Sequence, residues 1–200
     1  MTTTRLTTRP NGVLLVALLV ALGACSSNDL EASSCDVPAG FGVGVGEAAP
    51  VGASSFIAFA QHFAGYHAWP STPGVTKYPA TEFHVAGSTT VYINRKPATG
   101  ATEFPVGTIV VKETNTGPLN ERTAFAMVKR GAGYNASGAA GWEWFELKPQ
   151  CGKDEPAIGW RGVGPPTGES YGGDATGCNN CHALAADNDF VLTAGLSFAP

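Results

Sequence analysis

The rhythm of apolar and polar positions changes along the chain. Residues 13–22 form an unbroken apolar run, Val13-Leu14-Leu15-Val16-Ala17-Leu18-Leu19-Val20-Ala21-Leu22, preceded by Arg5 and Arg9. A basic stretch ahead of a run too short to span a bilayer comfortably is the form of an export signal. Further on, Phe56, Phe59, Ala60 and Phe63 recur at helical spacing, with Ser54 or Ser55 available as a cap, which predicts a helix over 54–64. Beyond residue 88 the pattern becomes that of strands. Thr89-Thr90-Val91-Tyr92-Ile93-Asn94 and Gly107-Thr108-Ile109-Val110-Val111-Lys112-Glu113 are rich in β-branched residues, and Gly141-Trp142-Glu143-Trp144-Phe145-Glu146-Leu147 in aromatics. Residues 123–129 are a weaker strand candidate. Asn115-Thr116-Gly117-Pro118 and Gly131-Ala132-Gly133-Tyr134-Asn135 separate these segments as turns. Their close succession favours antiparallel hairpins. A short helix is expected over Cys178-Asn179-Asn180-Cys181-His182 and on into Ala183-Leu184-Ala185-Ala186. The expected fold class is α+β: a single domain with an antiparallel sheet of four to five strands, an N-terminal helix and a short C-terminal helix.

The N-terminus changes the picture of where the chain works. The apolar run ends in Leu22-Gly23-Ala24-Cys25, which resembles the bacterial lipoprotein box. In that family the cysteine, here Cys25, is lipidated and becomes the mature N-terminus, and each buried acyl methylene adds about 0.8 kcal/mol of membrane affinity. Ser26 and Ser27 follow with no aspartate directly after the cysteine, which by the same analogy favours the outer membrane. The expected location is the periplasm or cell surface, with the membrane as a partner through the lipid. Residues 25–50 are rich in Ser, Ala, Gly and Pro and are expected to be a flexible tether. The organisation is thus 1–24 signal, 25–50 tether and 51–200 domain, long enough to bury a core without a metal. A formal net charge of −4 supplies no basic patch, so nucleic acid is not an expected partner.

The chain has five cysteines: Cys25, Cys35, Cys151, Cys178 and Cys181. In an oxidising compartment a Cys35–Cys151 disulfide is the natural use of the two left outside the lipid site and the motif below. It would close a long loop, worth about 4–5 kcal/mol in the chain-entropy picture.

Cys178-Asn179-Asn180-Cys181-His182 is a C-x-x-C-H haem-attachment motif. Two thiols on one helical turn can each add to a haem vinyl group, and the next residue then aims its imidazole at iron. One covalent haem c, with His182 as axial ligand, is the expected cofactor. A structural zinc site would need a second ligand pair, which is absent. A thioredoxin-like pair would follow a strand, whereas Gly172-Gly173-Asp174-Ala175-Thr176-Gly177 precedes this one. After export the remaining methionine is Met127, inside a strand candidate, so a methionine ligand is not expected. His62, His67 and His84 are the candidates for a second axial histidine, which would close the iron to substrate.

Taken in order, Val91-Tyr92-Ile93-Asn94, Phe104-Pro105-Val106 leading into Gly107–Glu113, Met127-Val128-Lys129, Gly141-Trp142-Glu143-Trp144-Phe145, the C-x-x-C-H motif and Asp189 resemble the cytochrome P-460 / cytochrome c′-beta family across residues 52–195. The resemblance implies a β-rich monohaem domain, often a homodimer, with five-coordinate iron and an open distal side. Members oxidise hydroxylamine towards nitrogen oxides, or bind nitric oxide and carbon monoxide. In the hydroxylamine-oxidising branch a lysine at the position of Lys112 is cross-linked to the haem edge. Those members carry an arginine just before the Val-Tyr strand, where this chain has Ser88-Thr89-Thr90. On strand periodicity Lys112 shares a face with Thr108 and Val110, opposite Ile109, Val111 and Glu113. Trp142, Trp144 and Glu146 likewise oppose Glu143, Phe145 and Leu147. Glu143 and Glu146 are both candidates for a distal carboxylate that takes protons from the substrate. The expectation is an oxidoreductase acting on hydroxylamine or a related small nitrogen species, delivering electrons to a partner cytochrome. The alternatives are a nitric oxide- or carbon monoxide-binding cytochrome without turnover, and an electron-transfer lipoprotein.

Overall fold

A computed structural model describes residues 52–74, 88–115, 117–162 and 175–198. The expected signal and tether, Cys25, Cys35 and His84 all lie outside the described residues. Among the described residues no helix is long and apolar enough to cross a membrane.

Six strands follow one another as an antiparallel meander in which each pairs with its sequence neighbour. They are β1 (Ser71–Pro73), β2 (Thr89–Ile93), β3 (Ile109–Thr114), β4 (Ala124–Lys129), β5 (Trp142–Lys148) and β6 (Ala157–Arg161). One α-helix, α1 (Thr176–His182), follows and runs directly into a 3-10 segment, Ala183–Asn188. The α+β class therefore holds, and the sheet has six strands rather than four or five.

The two additional strands are the edges, where pattern is weakest. β1 is three residues long and ends in Pro73, a residue that an edge tolerates and an interior strand does not. β6 carries Gly159 at a register shift, opposite the step between Glu146 and Leu147 of β5. The helix expected over 54–64 shortens to a 3-10 turn, Ala60–Phe63. Its first half is drawn sideways onto the sheet: the Phe56 N–H donates to the Arg130 carbonyl at 2.9 Å, and Ser55 bridges Gly131. With backbone bonds satisfied laterally, the helical spacing of the phenylalanines is not used, and Phe59 is left partly exposed while Phe63 is buried.

Each sheet face carries its own core. On one face Ile109, Val111, Ala126, Val128, Phe145 and Leu147 pack under Ala58, Phe63, Tyr66 and Trp69 from the N-terminal segment. On the other, Val91, Ile93, Val110, Met127, Trp142 and Trp144 pack under Phe104 and Ala139 from loops and Ala175, Val191 and Leu196 from the C-terminal segment. Full burial of each large apolar side chain contributes about 1.5–3 kcal/mol, so both layers matter to stability. The second face is where α1 docks.

Candidate functional site

The period-2 alternation of β3 and β5 decides which candidates meet. The cross-strand row Val91–Lys112–Phe125–Glu146–Trp160 lies on the face that receives α1. Val91 is buried, whereas Lys112, Phe125, Glu146 and Trp160 are only half-covered. The adjacent row, Ile93–Val110–Met127–Trp144, is buried throughout. The Trp144 ring lies 4.5 Å from the His182 ring between centroids.

Asn179, inside the C-x-x-C-H motif, fastens the helix to the sheet. Its Oδ1 accepts from Asn135 Nδ2 at 2.7 Å, from Trp144 Nε1 at 2.9 Å and from the Ala139 N–H at 3.3 Å. Its Nδ2 donates to Asn135 Oδ1 at 3.1 Å. Gly138 makes this clamp sterically feasible, because a Cβ there would sit 2.3 Å from Asn179 Nδ2 and 2.6 Å from Asn135 Oδ1. Cys178 and Cys181 are half-buried thiols on the docked helix.

His182 is oriented by its own C-terminal segment. Its Nδ1 lies 2.7 Å from the Phe190 carbonyl oxygen. A carbonyl only accepts, so Nδ1 carries the proton and Nε2 the lone pair. Burial drives the His182 pKa down to about 4; the Phe190 carbonyl opposes that shift and the Lys112 ammonium adds to it. The imidazole is therefore neutral near pH 7. Burial also lowers the Lys112 pKa, against an opposing contribution from Cys181. Lys112 thus lies within electrostatic reach of both Cys181 and His182.

The turn that supplies the carbonyl is unusual. Asp189 (φ 49°) and Phe190 (φ 66°) both occupy the left-handed region, where non-glycine residues are strained by about 1–3 kcal/mol each. Asp189 is buried; its Oδ1 accepts from Lys129 Nζ at 2.6 Å and from Trp142 Nε1 at 3.3 Å, and its Oδ2 from the Phe104 N–H at 2.8 Å.

These residues could hold a covalently attached haem. Two thiols share one helical turn, the following imidazole has Nδ1 occupied and Nε2 left for iron, and a half-covered row with two aromatics lies beside them. Among the described residues no three His, Cys, Asp or Glu side chains converge as a metal-ion ligand set.

Other candidates separate from this site. Glu143 points to the opposite face, fully buried, with Arg161 Nε at 2.8 Å and Arg130 Nη1 at 3.1 Å. It cannot serve on the α1 side. Glu146 shares the row with Lys112 but is ion-paired to exposed Lys148. His67 is also on the opposite face, 2.9 Å from Glu113 Oε2. His62 packs against Phe56 and Phe59 there, and its Nδ1 accepts the Phe59 N–H at 2.8 Å. Cys151 is disulfide-bonded. Asn135, Asn179, Lys129 and the Phe190 carbonyl carry the local geometry, yet the sequence reading gave none of them a role. The available signals are the asparagine pair between the motif cysteines and the presence of Lys129 and Asp189 in the segments that carry the family resemblance. Compared with known proteins, the chain matches no family model, no curated protein and no solved structure.

Proposed function

We propose that this chain is an exported, lipid-anchored, monohaem c-type cytochrome of the P-460 / c′-beta kind. In this reading Cys178 and Cys181 would hold the haem covalently and His182 would ligate its iron. The observation that carries it is the placement of Lys112. The half-buried lysine stands on the α1 face of the sheet, within electrostatic reach of Cys181 and His182. Bound haem would supply one-electron chemistry and a site for a small ligand.

The chain's own residues set the conditions. Phe190 fixes the His182 tautomer, Asn179 and Trp144 fix the helix, and Phe125 and Trp160 offer apolar surface beside Lys112. Oxidation of hydroxylamine or a related small nitrogen species is the proposed activity, with electrons passing to a partner cytochrome. Glu146 is the proton acceptor the α1 face offers, since Glu143 is turned away.

A second reading has an observation of its own. The described carboxylate in this row, Glu146, is ion-paired to Lys148 near the surface, and Phe125 stands between it and Lys112. An apolar pocket of that kind suits nitric oxide or carbon monoxide binding without turnover. Closure of the iron by a second histidine is disfavoured for His62 and His67, which are across the sheet.

The test is the optical spectrum of the dithionite-reduced, haem-matured protein, with intact mass establishing attachment. A strongly red-shifted Soret band that Lys112→Arg abolishes supports the Lys112 cross-link and the oxidase. An ordinary high-spin ferrous spectrum that responds to carbon monoxide selects the gas-binding reading. A low-spin spectrum indifferent to carbon monoxide overturns both.

A further inference from the structure

Two consecutive non-glycine residues in the left-handed region are hard to explain by packing alone. Asp189 can adopt that conformation readily, because its short polar side chain bonds locally; Phe190 is bulky and does not. Such a pair persists only where its surroundings over-determine it. Here three donors converge on one buried carboxylate. Lys129 Nζ reaches it from the end of β4 at 2.6 Å, Trp142 Nε1 from the start of β5 at 3.3 Å, and the Phe104 N–H from the β2–β3 loop at 2.8 Å. Lys129 is itself seated, donating to the Ala140 carbonyl at 3.3 Å and lying 5.2 Å over the Trp142 ring. The turn's own backbone closes on the helix side, with the Phe190 N–H donating to the Ala185 carbonyl at 2.8 Å. One peptide group beyond this anchor is the Phe190 carbonyl, which accepts from His182.

We infer that Asp189 is a positioning residue for the His182 imidazole: held by Lys129, Trp142 and the Phe104 amide, it fixes the left-handed Asp189–Phe190 turn that aims the Phe190 carbonyl at Nδ1. The carboxylate never touches His182. It acts through two backbone dihedrals, and it ties the ring's orientation to β4 and β5 of the sheet rather than to α1 alone. The hydrogen bond to the non-ligating nitrogen of an axial histidine sets the ring's orientation and basicity. The Lys129–Asp189 pair therefore tunes the iron ligand from a distance.

The inference rests on the haem reading only for its first readout. Full-length wild type, Asp189→Asn and Asp189→Ala are matured with haem, and haem content is fixed by intact mass. Resonance Raman of the ferrous proteins then reads the iron–histidine stretch. Asparagine tolerates the left-handed region and keeps one of the two accepting oxygens, so the band stays closer to its wild-type position than in Asp189→Ala. Alanine removes the anchor, the Nδ1 hydrogen bond weakens, and the band shifts to lower frequency. An unshifted band in haem-loaded Asp189→Ala overturns the inference. Where that variant does not accumulate, Lys129→Gln carries the test: a smaller shift in the same direction supports it and an unmoved band overturns it. A wild type that carries no haem refutes the cytochrome reading and leaves this one testable by nitrogen-15 spectra of His182. A single Nδ1–H tautomer in wild type and Asp189→Asn but a mixture in Asp189→Ala upholds it; one tautomer in all three overturns it.

Discussion

Both faces of the sheet carry ionisable side chains, and they treat them differently. Under the N-terminal segment, Glu113 and Glu143 are fully buried, and each is met by more than one donor. Glu113 is bonded by Tyr66, by His67 at 2.9 Å and by Arg122 at 3.0 Å. Glu143 is held between Arg130 and Arg161, and Arg161 goes on to donate to the Ala58 carbonyl at 2.8 Å. This face is electrostatically closed. On the α1 face the charged groups of the Lys112 row stand half-covered, beside a neutral imidazole with one nitrogen committed and the other available. A carboxylate's chemistry is thus decided by its strand parity: Glu143 and Glu146 are three residues apart, and one is structural while the other borders the site.

The largest effect that would break this comparison lies on the closed face. Removing one partner of a buried ion pair leaves an uncompensated charge and costs about 3–5 kcal/mol. Glu143→Ala removes the buried carboxylate that bonds both Arg130 and Arg161, so its chemical-denaturation midpoint should fall by that equivalent, with haem stoichiometry per folded molecule unchanged. A loss of haem without a loss of stability would place Glu143 in the site after all.

Next in size is the seam between motif and sheet. Asn179→Ala leaves Trp144 Nε1 and the Ala139 N–H without their acceptor, and an unsatisfied buried donor costs about 1–3 kcal/mol. Gly138→Ala attacks the same clamp from the other side, since its Cβ would overlap Asn179 and Asn135. Both variants should lower stability in denaturant titrations and also lower the yield of haem attachment. That pairing is what Glu143→Ala should not show.

These expectations mark where sequence was informative. β2, β3 and β5 announce themselves because aromatic and β-branched runs are bounded by Gly, Pro and Asn turns, while β4 gives a weaker pattern. The helix over 54–64 does not form, because lateral bonds to Arg130 and Gly131 outweigh a periodicity that is local. β1 and β6 are edge strands with Pro73 and Gly159, and only pairing reveals them. In the site, the thiols and His182 are readable from the spacing of a single motif, whereas parity groups residues only within each strand, and it is the register across β4 that puts Lys112 and Glu146 on one face. Asp189 and Asn179 act through hydrogen bonds 35 to 85 residues distant in sequence, which no local pattern encodes.

A pH titration sharpens the contrast at smaller amplitude. Burial pushes the Glu113 pKa up, but hydrogen bonds from His67 and Tyr66, the His67 charge and Arg122 outweigh it, so the folded value lies below 4.5. Between the two values the unfolded chain binds more protons, so stability rises with pH there. The contribution is present above the ordinary carboxylate pKa and is lost as pH falls through the folded one. Glu113→Gln cannot titrate, so its stability should be flatter below about pH 4.5 when followed by thermal melts at fixed ionic strength. An acid limb identical to wild type would mean that the closed face is not what fails in acid.

The smallest effect on stability should come from the open face. Lys112→Met keeps the aliphatic stem that packs on the sheet and removes an ammonium that is already partly desolvated, so its unfolding free energy should move by no more than about 0.5 kcal/mol. Its effect on the haem-loaded protein should be out of proportion to that. If Lys112 is joined to the haem edge, methionine cannot form the bond, and the red-shifted Soret band of the reduced protein collapses to an ordinary high-spin position. If the band does not move, Lys112 borders the haem without reacting, and the gas-binding reading takes precedence. Glu143 and Lys112 then separate by what each controls. Glu143 changes how firmly the chain folds and leaves the spectrum alone, while Lys112 changes the spectrum and leaves the folding alone.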